Sequence, residues 1–483
     1  MGQAISSCVR FPPRTLIKED LSEAEEQRLS HFVTEIYNEA KLKHNQADLA
    51  QHEQYIRTRV VQPIIDKFNK MHPLLTVTDT LLNGSMSNGT KIEMPCEYDY
   101  MLPIALSGNK QLKISKYDNG TLFISLSTKC NHELQQLIEE EKYEYLMVKV
   151  ANKKYYFNPV ALKNIVHMAL NGCLLELHKE KLLIYKRMKS LKYETPISTQ
   201  LDEKEVILDD RTHGPCSRLR AWGPLCVTDI DLGVCLKIPD LPQTEDSFYM
   251  ALPPSRELYW KKSFYEKPHI RATRLNQSHV KIIMAIKYIL SQFLFHSSVH
   301  VNGAEIDLHS HALFTIVRCH QEKCQGKLSL GQCFYDTIYD VCRFHLKSIT
   351  NPTAIEVHDM NLRNLQDKDC SEIHLLEKNT TSHSFTGVYG VVLYTLMRLI
   401  KFSEKSPAEY YCRYLENLTR ETELEVLQQH LLQGSRKESL TREQILAEQD
   451  INTLLYNVMS TKHGIYLNVL VDTEVILSRV KIK

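Results

Sequence analysis

The chain has 483 residues, more than a single hydrophobic core holds and enough for two lobes. Hydrophobic residues at 43% and charged residues at 24% exclude a disordered or collagen-like polymer. The net charge of +1 provides no global field, so a polyanion would have to meet a local basic patch.

Residues 1–20 read as a flexible leader. "MGQAIS" fits the M-G-x-x-x-[ST] pattern for myristoylation of Gly2. Cys8 stands close enough to carry a second acyl chain, and Arg10 and Arg14 would favour anionic headgroups. The expectation is a cytoplasmic protein with membrane association through this leader. Thirteen cysteines, scattered from Cys8 to Cys412 without a framework spacing, agree with reduced thiols in the cytosol.

From 21 to 71 apolar residues recur at helical spacing through Val33, Ile36, Tyr37, Ile56, Val60, Ile64 and Phe68. This predicts one long helix, kinked at Pro63. After "HPLL" the period changes to that of strands in "LTVTDTLLNGS", "EYDYMLPIAL" and "GTLFISLS". In "EYDY" the two acids are i and i+2 of a strand, so Glu97 and Asp99 share a face and Tyr98 and Tyr100 take the other. Two like charges that close call for a cation, and hard oxygen ligands suit Mg²⁺ beside substrate phosphates. "HKEKLLIYKRMKSLK" is strongly basic; such a run is a solvated helix face or a nucleic-acid surface, and Lys186, Arg187 and Lys189 are its candidate contacts.

"CVTDIDLGVCLKI" brings a second acid pair. Ile230, Leu232, Val234 and Leu236 form its apolar face, so Asp229 and Asp231 point the other way. Beyond "DLPQTEDS" strand signals fade, and "SHVKIIMAIKYILSQFLF" opens a mainly helical half. The expected organisation is a mixed α/β core over 21–245 and a helical lobe over 246–483, its part after about 375 read only as helical packing. The nearest approach to a membrane span, "FTGVYGVVLYTLMRLIKF", is interrupted by glycines and a threonine.

Gly84-Ser85, then Glu97-x-Asp99, then a distant strand aspartate resemble the nucleotidyltransferase signature. "GSMSNGTKIEMPCEYDYML", "HGPCSRL", "DLGVCLKIPDLP", "WKKSF" and "IKYILSQF" occur in the order found in the cyclic GMP-AMP synthase-like receptors of the Mab-type nucleotidyltransferases. The likeness runs from about 21 to 350. It implies an α/β bilobed nucleotidyltransferase fold, with a mixed sheet flanked by the long N-terminal helix and a helical lobe opened by "WKKSF". It makes Glu97, Asp99 and Asp231 ligands of two Mg²⁺ (or Mn²⁺) ions, with Gly84 and Ser85 at a triphosphate. Lys261, where the family has arginine, Ser263 and Lys287 fall on its nucleotide-contacting positions. Asp229 competes with Asp231, which is preferred because the apolar run after it then matches the family's strand.

The resemblance further implies a nucleic-acid-activated enzyme of innate immunity that makes a cyclic dinucleotide from ATP and/or GTP. Its activator would be double-stranded, RNA favoured over DNA, with oligomers possible on the ligand. The sequence departs from the family in three places. Pro268 stands where a base-reading glutamate is expected, and "DLHSH" replaces a Ser-Tyr-x-x-Lys pattern. The segment between "SF" and the Lys-Tyr helix contains no cysteine, so no zinc is expected at the usual family position. Cys319, His320, Cys324 and Cys333 stand as C-H-x₃-C-x₈-C, loose for zinc, and read as ordinary reduced thiols. The rival readings are a non-catalytic Mab-type scaffold and an enzyme that extends a polynucleotide. Exchanging Glu97 and Asp99 for their amides is expected to leave stability level or higher, because a repelling pair is relieved.

Overall fold

The computed structural model describes residues 20–105, 112–116, 122–126, 146–150, 154–191, 195–213, 216–237, 247–251, 260–264, 275–296 and 310–350. Gly2 and Cys8 lie outside the described residues, as does the chain after 350. Two compact units divide the chain, Lys41–Arg274 and Met1–Ala40 with Leu275–Lys483.

In the unit Lys41–Arg274, helix α2 (Gln46–Tyr55) starts where the Asn45 side chain accepts from the Asp48 amide at 2.8 Å. It runs through a π-helical turn, Ile56–Val61, into α3 (Gln62–Met71). The expected single helix over 21–71 is therefore two: α1 (Glu23–Ala40) ends first, and Asn45 caps a new start. Pro63 sits in the first turn of α3, directly after the wide turn, where its missing N–H and bulky ring are tolerated.

The sheet is mixed, with twelve strands among the described residues. In chain order these are β1 (Leu81–Asn83), β2 (Glu97–Ile104), β3 (Leu112–Lys116), β4 (Leu122–Leu126), β5 (Met147–Val150), β6 (Lys154–Phe157), β7 (Ile184–Lys189), β8 (Glu205–His213), β9 (Cys216–Ala221), β10 (Thr228–Lys237), β11 (Ser247–Ala251) and β12 (Trp260–Phe264). The main path runs β5-β6-β4-β12-β11-β10-β9-β8-β7. β10 is its hub. It pairs in parallel with β2 along eight residues, while β9 and then β11 pair with it antiparallel.

Alternation sorts this sheet into two faces. Tyr98, Tyr100, Leu102 and Ile104 of β2 and Ile230, Leu232, Val234 and Leu236 of β10 enter one core with Ile64 and Phe68 of α3. Helix α5 (Pro159–Lys179) adds Leu162, Val166, Leu170 and Leu174; α4 (Gly84–Asn88) is the short helix after β1. Among the described residues α5 alone is long and apolar enough to cross a membrane, yet it buries these side chains in the core of the unit.

The unit boundary differs from the expected 245. "WKKSF", expected to open the helical lobe, is strand β12 of the sheet, antiparallel to β11, with Trp260 buried and its indole N–H donating to the Phe157 carbonyl at 3.3 Å. The sheet thus claims both strands that follow "DLPQTEDS", and the helical unit resumes at Leu275. That unit contains α1, α6 (Gln277–His296), α7 (Ser310–Cys324) and α8 (Leu330–Thr350). A Cβ on Gly331 would meet the Glu26 carbonyl oxygen at 2.0 Å, so only glycine lets α8 approach α1 there. Phe32 and Phe334 pack beside this approach, ring centroids 6.1 Å apart. The first predicted helix therefore belongs with the helical unit, not with the sheet it was expected to flank.

One histidine holds the approach to β10. His52 of α2 is fully buried; its Nδ1 accepts from the Leu225 amide at 3.2 Å and its Nε2 lies 3.0 Å from the Thr228 hydroxyl. The first bond fixes the Nε2–H tautomer, so protonating Nδ1 would break it. Burial lowers the imidazole pKa from 6.5 to about 4. A base with a depressed native pKa contributes stability above the unfolded value and loses it as pH falls through the native one. Acid should therefore cost stability between pH 6.5 and about 4, with a ceiling on the order of 3 kcal/mol. Chemical denaturation at several pH values, on the wild type and His52→Gln, measures this; an unaltered pH slope in the variant would assign the loss to other groups.

Candidate metal and nucleotide site

The polar face of the sheet is a charge ladder. The parallel register sets Asp229 beside Glu97 and Asp231 beside Asp99. On the other edge of β10 the antiparallel register sets Asp229 beside Arg220 and Asp231 beside Arg218. Each rung thus reads arginine, aspartate, carboxylate across β9, β10 and β2.

The structure brings together three of the predicted carboxylates. One oxygen each from Glu97, Asp99 and Asp231 lies within 4.8 Å of the others. Asp229 is engaged elsewhere: Arg220 Nε and Nη2 donate to its two oxygens at 2.6 and 2.9 Å, and Arg220 also donates to Thr199. A bidentate, buried pair of this kind fixes both partners. Asp231 accepts a single bond from Arg218 Nε at 3.1 Å. Burial pushes its carboxyl pKa above the usual range, against the pull of Arg218.

The Gly84-Ser85 turn closes directly on this group. Asn83 pairs with Asp99 across β1 and β2, and Gly84 follows at φ +66°. A Cβ at Gly84 would fall 1.7 Å from Asp99 Oδ2. Backbone therefore touches carboxylate where any other residue would push it away. α4 then ends at left-handed Gly89, and the Thr90 amide donates to the Ser85 carbonyl at 2.9 Å.

Sequence reasoning missed Lys91. Its ammonium donates to Glu97 Oε2 at 2.6 Å with the side chain mostly buried. Burial alone would lower its pKa; Glu97, with Cys96 and Asp99, outweighs that and holds it above the ordinary lysine value. This contact also corrects the expected effect of charge removal, because Glu97→Gln would strand a buried ammonium rather than relieve a repulsion. Arg218 and Arg220 were missed as well, although Arg-x-Arg in one predicted strand matches the spacing of Asp-x-Asp in the next.

The other predicted residues fall on these elements. Lys261 and Ser263 lie on β12, in register with Met250 and Phe248. Lys287 lies on α6, in the helical unit. Lys186, Arg187 and Lys189 stand on β7, which ends the main path of the sheet, and not on a helix. A bulge between Tyr185 and Met188 puts Arg187 at φ +78° with its side chain exposed, and Lys186 is held by Glu205 at 2.7 Å. Lysines and a bulge also blunt a sheet edge against pairing with another chain, which is the structural reading of the same residues.

Three carboxylates supply hard oxygen donors for a divalent ion, and the bare backbone at Gly84 lets the turn close directly on Asp99. No protein-family model and no curated protein matches the chain.

Gly84→Ala tests the turn. The left-handed φ alone costs roughly 1–2 kcal/mol for an L-residue, and the collision must displace Asp99. Thermal unfolding should fall by several degrees, and Mn²⁺ binding, read by electron paramagnetic resonance, should drop at least tenfold. Undiminished binding would separate the turn from the ion.

Proposed function

We propose that the chain is a nucleotidyltransferase that joins two nucleoside triphosphates into a cyclic dinucleotide when double-stranded nucleic acid, RNA in preference to DNA, is bound. The observation that carries this reading is the register of β10 on β2, which sets Asp231 against Asp99 with the Gly84 turn packed on the same carboxylate. Glu97, Asp99 and Asp231 would hold Mg²⁺ or Mn²⁺, which when bound neutralises phosphate charge and lowers the pKa of an attacking hydroxyl.

The chain's own residues do the rest. Bare backbone at Gly84 and the hydroxyl of Ser85 receive phosphate oxygens of the donor nucleotide. A ribose hydroxyl attacks the α-phosphorus, one P–O bond forms, the bond to the β-phosphate bridge breaks, and pyrophosphate leaves. The hydroxyl proton passes to solvent or to a carboxylate of the cluster. A second round on the linear product closes the ring. Lys261, Ser263 and Lys287 are the proposed nucleotide contacts, and the bilobed nucleotidyltransferase fold is part of the same proposal. Acylation at Gly2 and Cys8 would place this activity on a cytoplasmic membrane face.

A second reading has its own support. Lys91 on Glu97 and Arg218 on Asp231 already compensate the acids, as a non-catalytic scaffold would require. Asp99→Asn separates the two, since it leaves both ion pairs in place. Labelled nucleotides, Mn²⁺ and a panel of RNA and DNA should give the wild type a nuclease-resistant small product, reduced by at least a hundredfold in Asp99→Asn with its melting temperature within a few degrees of wild type. No product from the wild type under any activator supports the scaffold; a lengthening polymer supports an extending enzyme.

The basic edge is tested with Arg187→Glu and Lys189→Glu together, leaving Lys186 on Glu205. Stimulation by double-stranded RNA should vanish, and the slope of log affinity against log salt should shrink by about 2 if both side chains neutralise phosphates. Unchanged affinity and slope would return these residues to guarding the strand edge.

A further inference from the structure

The helical unit holds a second cluster of ligand-type side chains, unrelated to the carboxylates. His279 lies in the first turn of α6, His320 and Cys324 are one turn apart on α7, and Cys333 lies in the first turn of α8. All four are buried, and one ligand atom of each lies within 4.8 Å of all the others. From this geometry we infer a tetrahedral zinc site, His279-His320-Cys324-Cys333, that staples α6, α7 and α8 together.

The ligand set is the first argument. Two imidazoles and two thiols are the borderline and soft donors of structural zinc sites, and the i, i+4 spacing on α7 puts two of them on one face. The second argument is distance. Cys324 Sγ and His279 Nε2 are 3.4 Å apart. Bond lengths of about 2.3 Å to sulfur and 2.0 Å to nitrogen put two tetrahedral ligands roughly 3.5 Å apart, so this edge has the required length before any ion arrives.

The third argument lies in the outer shell. Asn276 Oδ1 accepts from His279 Nδ1 at 2.7 Å and from the His279 amide at 3.0 Å, as the cap of α6. The proton is thereby fixed on Nδ1 and the Nε2 lone pair is aimed at Cys324, the orientation that a ligating histidine needs. The Asn276 amide donates in turn to Gln321 Oε1 at 2.7 Å, which ties the start of α6 to α7 between the two α7 ligands. A cavity of about 390 Å³ is lined by His320 and Cys324 together with Lys323, Asp336 and Asp340. Both cysteines are free thiols. Binding would form two Zn–S and two Zn–N bonds and release two protons, with no redox partner required.

The loose sequence pattern Cys319-His320-Cys324-Cys333 is corrected here by one residue. Cys319 is buried but outside the cluster, and His279, forty-one positions before His320, takes its place.

Full-length protein, purified reduced from zinc-supplemented cells, should carry about one zinc per chain by mass spectrometry of metals. Replacement with Co²⁺ should give thiolate charge-transfer absorption and the intense visible bands of a tetrahedral site. Cys324→Ser and Cys333→Ser should lower zinc content at least tenfold, whereas Cys319→Ser should leave it unchanged. Should a serine variant not fold, the cobalt spectrum of the wild type stands as the independent readout. Wild type with less than about a tenth of a zinc per chain and no tetrahedral cobalt spectrum overturns the site, as does equal loss in Cys319→Ser.

Discussion

The parallel pairing of β10 with β2 imposes the constraint around which the unit Lys41–Arg274 is arranged. It satisfies the backbone of the central strand and buries two apolar stripes, and in doing so it lines up four carboxylates on the opposite face. A one-residue slip would exchange the faces, putting the acids into the core and Tyr98 and Ile230 outside. Register and charge are therefore linked. Carboxylate oxygens held within 4.8 Å of one another repel, by several kcal/mol at an effective dielectric of about 20, and cations answer the acids on this face. Arg220 answers Asp229 with two bonds, Arg218 answers Asp231 with one, and Lys91 answers Glu97. The compensation is uneven: Asp229 is locked in a fork, while Glu97, Asp99 and Asp231 bring one oxygen each within 4.8 Å of one another.

That unevenness was partly legible in the amino-acid sequence. Period-two alternation in "EYDYML" and "TDIDLGVCL" was enough to put Tyr98, Tyr100, Ile230 and Leu232 inside and the acids outside, because alternation within one strand is a local property. The choice of Asp231 over Asp229 was open in the residues alone, since both share a face. It is the neighbouring strand that distinguishes them, through Arg220 and Arg218, and the pairing of β9 with β10 is not a local property. Lys91 was invisible for a related reason. It lies in the irregular stretch before β2, and no period connects it to Glu97.

The helices show the same division. Helical spacing located apolar positions throughout 21–71, yet it could not say which residues pack on which unit. Helix α1 and the run from the π-helical turn through α3 both carry apolar stripes. Their separation at 41–45 rests on the Asn45 cap, and α1 finds its partner through Gly331 and Phe334, three hundred positions away. "WKKSF" was expected, by resemblance, to open the helical lobe; its pairing with β11, with Trp260 buried in the core, keeps it in the sheet instead. His279 is the extreme case, a ligand-type side chain without a neighbouring partner in the sequence, brought to Cys324 only by helix packing.

The two clusters differ in the ions they can accept, and this keeps their chemistries apart. Oxygen donors on the sheet favour small hard cations that keep several waters and exchange, which suits substrates arriving with phosphate. Nitrogen and sulfur donors among the helices favour zinc, hold it with four protein ligands and leave no open position. Each set is poorly suited to the other's ion: thiols are weak ligands for magnesium, and a three-carboxylate face with a lysine on one member is no match for a closed tetrahedron. The lysine matters to this separation. An ammonium on Glu97 makes monodentate capture of a stray transition metal compete with an existing ion pair. A metal accompanied by a polyphosphate brings its own anionic ligands and depends less on Glu97 alone. Under the proposed function, Lys91 would bias the carboxylate site towards metal that arrives with phosphate.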